Sequence, residues 1–141
     1  MFFGCIVLDF HAIVNVLRKH SREIFVLLRD SGSERKVLDV LSSFLPCKRD
    51  VRYCSYPGLI VDLLCGDLGI EVEFNKQPHI GLDQAIAYRV FLGLRPILLH
   101  VVEYCTLEFK ETFKKLLKSL KCLDIKGIII DVGSGEIVVL E

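Results

Sequence analysis

The chain has no surplus of charge of either sign, since 18 Lys and Arg residues balance 18 Asp and Glu. That balance argues against a protein that coats a polyanion over its whole surface, but it leaves room for a local basic face. An apolar run long enough to cross a bilayer is also missing. The longest candidate, Met1 to Leu17, is interrupted by Asp9, His11 and Asn15, and it falls short of the roughly 20 apolar residues that a span needs. It has no basic leading region and no small-residue cleavage site, so it does not read as a secretion signal. A soluble, cytoplasmic protein without a membrane partner is expected. Repeats, low-complexity tracts and linkers are absent too, so the 141 residues read as one domain with chain enough for a substantial core. The six cysteines form no Cys-x-x-Cys pair, and no His stands at zinc-finger spacing from them. Cys54 and Cys65 fall in apolar runs and read as reduced packing thiols.

What is present is a strongly patterned α/β chain. Residues 1–30 form an N-terminal extension, read as helical. Ser31-Gly32-Ser33 punctuates it, and Ser31-x-x-Glu34 has the spacing of a capping box for a helix over 34–44, which Pro46 stops. Strands follow at 51–56, 59–65 and 68–74, with Pro57-Gly58 ending the first and Gly66-Asp67 forming a tight turn between the last two. A helix apolar almost all round spans 80–93, and a buried strand spans 96–102. The remaining residues, 103–141, give a helix capped by Thr106 and a closing hairpin around Gly133-Ser134-Gly135. The core at 31–102 is therefore helix, three strands, helix, strand: an α/β sandwich with a mixed sheet.

The Gly66-Asp67 turn carries the main inference. A two-residue loop with Gly first fixes the pairing: Cys65 faces Leu68, Leu64 faces Gly69, Leu63 faces Ile70 and Asp62 faces Glu71. Opposed residues share one sheet face, so Asp62 and Glu71 repel there, and alternation adds Glu73 and Asn75. Three hard carboxylates on one face suit Mg²⁺ or Mn²⁺, which bind one or two carboxylates plus water and substrate phosphate. A plain solvated sheet face would carry the same alternation. Gln84 and Tyr88 stand four apart on the next helix, on one side of an apolar segment. His79 reads as a cap or packing residue and His100 as core. Lys110, Lys114, Lys118 and Lys121 form a row on the last helix, and Arg18, Lys19 and Arg22 a second basic cluster. Each is a candidate nucleic-acid contact, and each is equally an ordinary solvated face.

Taken together, these residues resemble the PD-(D/E)xK nuclease superfamily, the restriction-endonuclease-like fold, and in particular its RecB-type and archaeal Holliday-junction-resolvase-like branches. The family core matches residues 34 to 102. Glu34 stands for the Glu of its first helix, Asp62 for the metal-binding Asp, Glu71 for the acid of (D/E)-x-K, and Gln84 and Tyr88 for Gln-x-x-x-Tyr. The motif Lys is replaced by Glu73, and the usual Pro is not adjacent to Asp62. Lys76 takes the place of that Lys only if the chain bends after Asn75, because its parity points it to the opposite face. The resemblance implies Mg²⁺- or Mn²⁺-dependent hydrolysis of single-stranded, duplex or branched DNA by a homodimer. Asp62 and Glu71 would hold the ion, with Glu34, Glu73, Gln84 and Tyr88 assisting. Two other readings stand beside it: a catalytically inactive nuclease-fold subunit for nucleic-acid binding or assembly, and an unrelated α/β domain.

Overall fold

The computed structural model describes residues 8–141. Residues 1–7, with which the expected N-terminal extension begins, lie outside the described residues. Three helices come first, α1 (Phe10–Lys19), α2 (Ser21–Arg29) and α3 (Glu34–Phe44). Asp9 caps α1, its carboxylate accepting from the Ala12 amide at 2.8 Å. The cap expected at Ser31 lies two residues later. Ser33 is the cap of α3 and accepts from the Lys36 amide, while Ser31 is buried and donates to the Leu27 carbonyl. Glu34 is thereby the first helical residue and free to point elsewhere.

Among the described residues the chain forms an α/β structure with a six-stranded mixed sheet and five α-helices. The strands β1 (Lys48–Tyr53), β2 (Tyr56–Cys65), β3 (Leu68–Phe74), β4 (Arg95–Val102), β5 (Lys126–Asp131) and β6 (Glu136–Leu140) lie side by side in chain order. β3, β4 and β5 are parallel, and the other neighbours are antiparallel. Parallel neighbours need crossovers, and α4 (Leu82–Leu92) and α5 (Leu107–Ser119) supply them. Alternation splits the sheet into two faces. Ile70, Val72, Leu99 and Ile130 pack on α1 to α3, whereas Leu98 and Ile129 pack on Ala85 of α4 and on Phe113 and Leu117 of α5. α5 sits close on β5 because position 127 has no side chain. A Cβ on Gly127 would lie 2.5 Å from the Leu117 methyl.

Two expectations shift. The first strand lies three residues earlier than expected, and Pro57 and Gly58 open β2 instead of ending β1. At that end β2 pairs with β1 alone, through an irregular register, where a residue without an N–H is tolerated. Arg52 then ties the start of β2 down by donating to the Pro57 carbonyl at 2.9 Å. Cys65, expected to be a packing thiol, is joined to Cys47 by a disulfide across the start of β1 and the end of β2.

Candidate functional site

The reversal at Gly66 and Asp67 is the tight turn that the sequence spells out, with Gly66 at φ 64°. Its pairs are Cys65 with Leu68, Leu64 with Gly69 and Leu63 with Ile70. Arg95 grips the turn through both oxygens of Asp67, which pins the hairpin to β4 and holds the Asp67 carboxyl below its ordinary range. Beyond Leu63 the β2–β3 ladder stops, so the expected fourth pair, Asp62 facing Glu71, is not part of it. Asp62 comes next, and its carboxylate accepts from the Val72 amide at 2.9 Å, replacing a ladder bond with a side chain. The two strands thus part where the acids begin.

Tyr88 closes this wedge from α4. It can lie flat on β3 because Gly69 leaves room, since a Cβ there would meet the Tyr88 ring at 3.0 Å. The buried Tyr88 hydroxyl touches three groups: the Ile60 carbonyl at 3.0 Å, Glu71 Oε2 at 2.5 Å and the Asp62 amide, which donates to it at 3.3 Å. One hydroxyl proton cannot serve two acceptors at once. A protonated Glu71 resolves the conflict by donating to Tyr88, which then donates to Ile60.

Glu73 is buried beside Glu71 on the same face. α4 begins against it at Gly81, whose φ is 89° and whose missing Cβ would lie 2.9 Å from Glu73 Oε1. The positive end of the helix dipole therefore faces a carboxyl group. Across the parallel register Glu73 pairs with His100. His100 is wholly buried, as its reading as core requires, and burial lowers its pKa to about 4. Its Nε2 lies 3.2 Å from the Pro78 carbonyl, and its ring stands edge-on to Phe109 and Phe113.

Asn75 does not join the acidic face. β3 ends at Phe74, and Asn75 takes a left-handed conformation at φ 50° with its side-chain oxygen accepting from the Glu103 amide. This is the bend that decides the position of Lys76. Its positive charge is felt by both Glu73 and Glu34, and it pulls the pKa of each down against the opposing effects of burial and of neighbouring acids. Glu34 reaches the same place from α3, and after burial the charges of Glu73 and Asp62 raise its pKa. Asp62, Glu71, Glu73, Glu34 and Lys76 thus share one electrostatic neighbourhood.

Burial is the largest cause of the raised pKa of Asp62, Glu71 and Glu73 alike. For Glu71 the charge of Asp62 adds to it, and the pKa rises to about 10. A second buried acid, Asp131, has a different setting: its two oxygens accept from the Cys105 and Ser134 amides, which makes it a structural anchor. The Asp62 cluster instead turns carboxylates towards one another, an arrangement that a cation relieves. Among the described residues no group of three His, Cys, Asp or Glu side chains is arranged to hold a metal ion by itself. The donor set still fits Mg²⁺ or Mn²⁺, because such ions take one or two carboxylates and complete their shell with water and phosphate.

Gln84 does not touch this network through any hydrogen bond comparable to those of Tyr88. It lines an open cleft of about 460 Å³ between α4 and the β1–β2 tip, together with Tyr56 and Phe91. Those two rings are exposed and 5.1 Å apart. The sequence does not single out Tyr56 or Phe91, because each is ordinary in its own segment. His79 is exposed. The expected helical lysine row is shorter by one member, because α5 ends at Ser119 and Lys121 lies in the 3-10 turn that follows. The four lysines line a separate groove beside β6, three strands from β3. Arg18, Lys19 and Arg22 lie on the layer formed by α1 and α2, across the sheet from α4 and α5.

No family model, curated protein or solved structure matches this chain.

Proposed function

We propose that the chain is a metal-dependent DNA phosphodiesterase of the PD-(D/E)xK type, built on a restriction-endonuclease-like core. The observation that carries the reading is the cluster of Asp62, Glu71 and Glu73 at the point where β2 leaves β3, with Tyr88 of the Gln-x-x-x-Tyr pair bonded to Glu71. Burying Glu71 and Glu73 beside the half-buried Asp62 costs several kcal/mol per ion unless protons or a cation compensate, and nothing in the hydrophobic packing requires them there. Asp62 and Glu71 would hold Mg²⁺ or Mn²⁺. When bound, the ion would polarise the scissile phosphate and lower the pKa of the attacking water.

The chain's own residues do the rest. Tyr88 fixes the rotamer of Glu71, and when that carboxyl ionises the Tyr88 hydroxyl donates to the carboxylate and favours its charged form. Glu73, held against the start of α4, stands where a base orienting water is needed. Lys76, exposed just after the bend at Asn75, would supply through its charge what the motif normally draws from the position of Glu73. The cleft beside Gln84 offers two aromatic faces for unpaired bases. Glu34 adds a carboxylate from the opposite helical layer.

The test is cleavage of labelled single-stranded, duplex and branched DNA with Mg²⁺ or Mn²⁺, with Asp62→Ala alongside. Cleavage that falls at least about 100-fold in the variant supports the proposal, and cleavage unchanged in the variant rejects the site. A second reading, a nuclease-fold subunit that binds without cutting, is favoured by Glu73 standing where the motif has Lys. Salt-dependent DNA binding with no cleavage under either metal would select it.

A further inference from the structure

The sheet ends at β6, which has β5 on one side and no strand on the other among the described residues. A groove of about 770 Å³ runs between this edge and α5. Both Val138, which packs with α5, and Val139, which packs with α1 to α3, line it. Residues of opposite parity meet only along a strand's edge, so the groove gives access to the outward backbone groups of β6. Its floor is apolar, from Leu117 and Ile125, and its rim is the row Lys110, Lys114, Lys118 and Lys121. Among the described residues none of these four lysines lies within 4.0 Å of a carboxylate. Of the two acids at the groove, Asp124 is paired with Lys126 at 3.0 Å, and Glu141 lies 3.7 Å from the His11 ring.

The spacing of the row selects its partner. Lysines four residues apart on a helix rise by about 6 Å, and alternate side chains of an extended strand repeat every ~6.6 Å. Lys110 to Lys118 spans about 12 Å along α5, Lys121 follows in the 3-10 turn after the helix, and the five residues of β6 span ~17 Å. We propose that this edge receives an extended acidic segment of a partner protein as a seventh strand. Its main chain would pair with β6, and carboxylates at every second position would meet the lysine row over the apolar floor. A second copy of this chain paired through β6 would set two lysine rows along one seam, and like charges there repel. A nucleic acid would use the lysines but leave the β6 donors and the apolar floor unfilled. The inference is independent of the carboxylate site, which lies three strands away.

The test uses the full chain and a labelled synthetic peptide of about seven residues that alternates Glu and Val, with an isomer of the same composition in which the Glu residues are contiguous. The alternating peptide is expected to bind at least about tenfold more tightly than its isomer and to slow amide exchange in residues 136–140. Lys114→Glu combined with Lys118→Glu is expected to weaken it by about tenfold or more. Equal affinity for the two peptides overturns the proposal. So does peptide binding without β6 protection, or a thymidine oligonucleotide that competes at the same lysines while the peptide fails to bind.

Discussion

At Tyr88, one hydroxyl faces the Ile60 carbonyl, the Asp62 amide and Glu71, and this crowding ties the protonation of Glu71 to the shape of the site. Tyr88→Phe removes a partner from three buried or half-buried groups. It is expected to lower stability by about 1–3 kcal/mol in urea denaturation, and to reduce any metal-dependent activity by about 10–100-fold. The raised Glu71 pKa has a definite sign in stability. Between its ordinary value of 4.5 and its folded value of about 10, the folded chain holds a proton there that the unfolded chain has lost. Stability is therefore full below that window and falls as pH rises through it. The urea midpoint of the metal-free chain should drop between about pH 5 and about pH 9, and Glu71→Gln should flatten that slope. A wild-type midpoint that climbs over the same range would contradict the protonated Glu71. The carboxylates themselves were legible in the sequence, because parity and a Gly-first turn fix which residues share a face. Lys76 was legible only conditionally, since parity points it to the other face unless the chain bends after Asn75, and Asn75 does take a left-handed turn there.

At the scale of elements, α4 is held by two glycines that the sequence offers without explanation. Gly69 admits the Tyr88 ring, and Gly81 lets the helix start against Glu73. Gly81→Ala meets both a positive φ and contacts of 2.9 Å with Glu73. It should destabilise by about 1–3 kcal/mol and disturb metal binding. Gly58→Ala, with nothing within 4 Å of the new carbon, should change stability by no more than about 0.5 kcal/mol. Thermal or urea unfolding of the two variants separates these outcomes. Helix α3 shows why caps are harder to place than helices. Ser31 and Ser33 both carry a hydroxyl, and only burial of the first decides that the second caps. Strand β1 slipped for a related reason: Pro57 looks like a terminator until the one-sided pairing at the start of β2 is known.

For the whole molecule, the order of helix, three strands, helix, strand is readable from periodicity and punctuation. The order of strands in space follows the chain, which short hairpins and helical crossovers favour. Contacts between distant segments carry no such local sign. The Cys47–Cys65 disulfide bridges 18 residues of chain, although each cysteine alone reads as a small apolar residue. Closing a loop of that size contributes about 3 kcal/mol through the unfolded chain, so a reductant should shift the urea midpoint down by a corresponding amount, and Cys47→Ala should abolish the difference.

The central claim is that Asp62 and Glu71 form a seat for a divalent cation, with protons occupying it otherwise. Calorimetric titration of Mn²⁺ in two buffers of different ionisation enthalpy measures the ion and the displaced proton together. One ion should bind with release of about one proton near neutral pH, and Asp62→Ala should lose at least about 100-fold in affinity. Binding without proton release, or with equal strength in Asp62→Ala, would contradict the account.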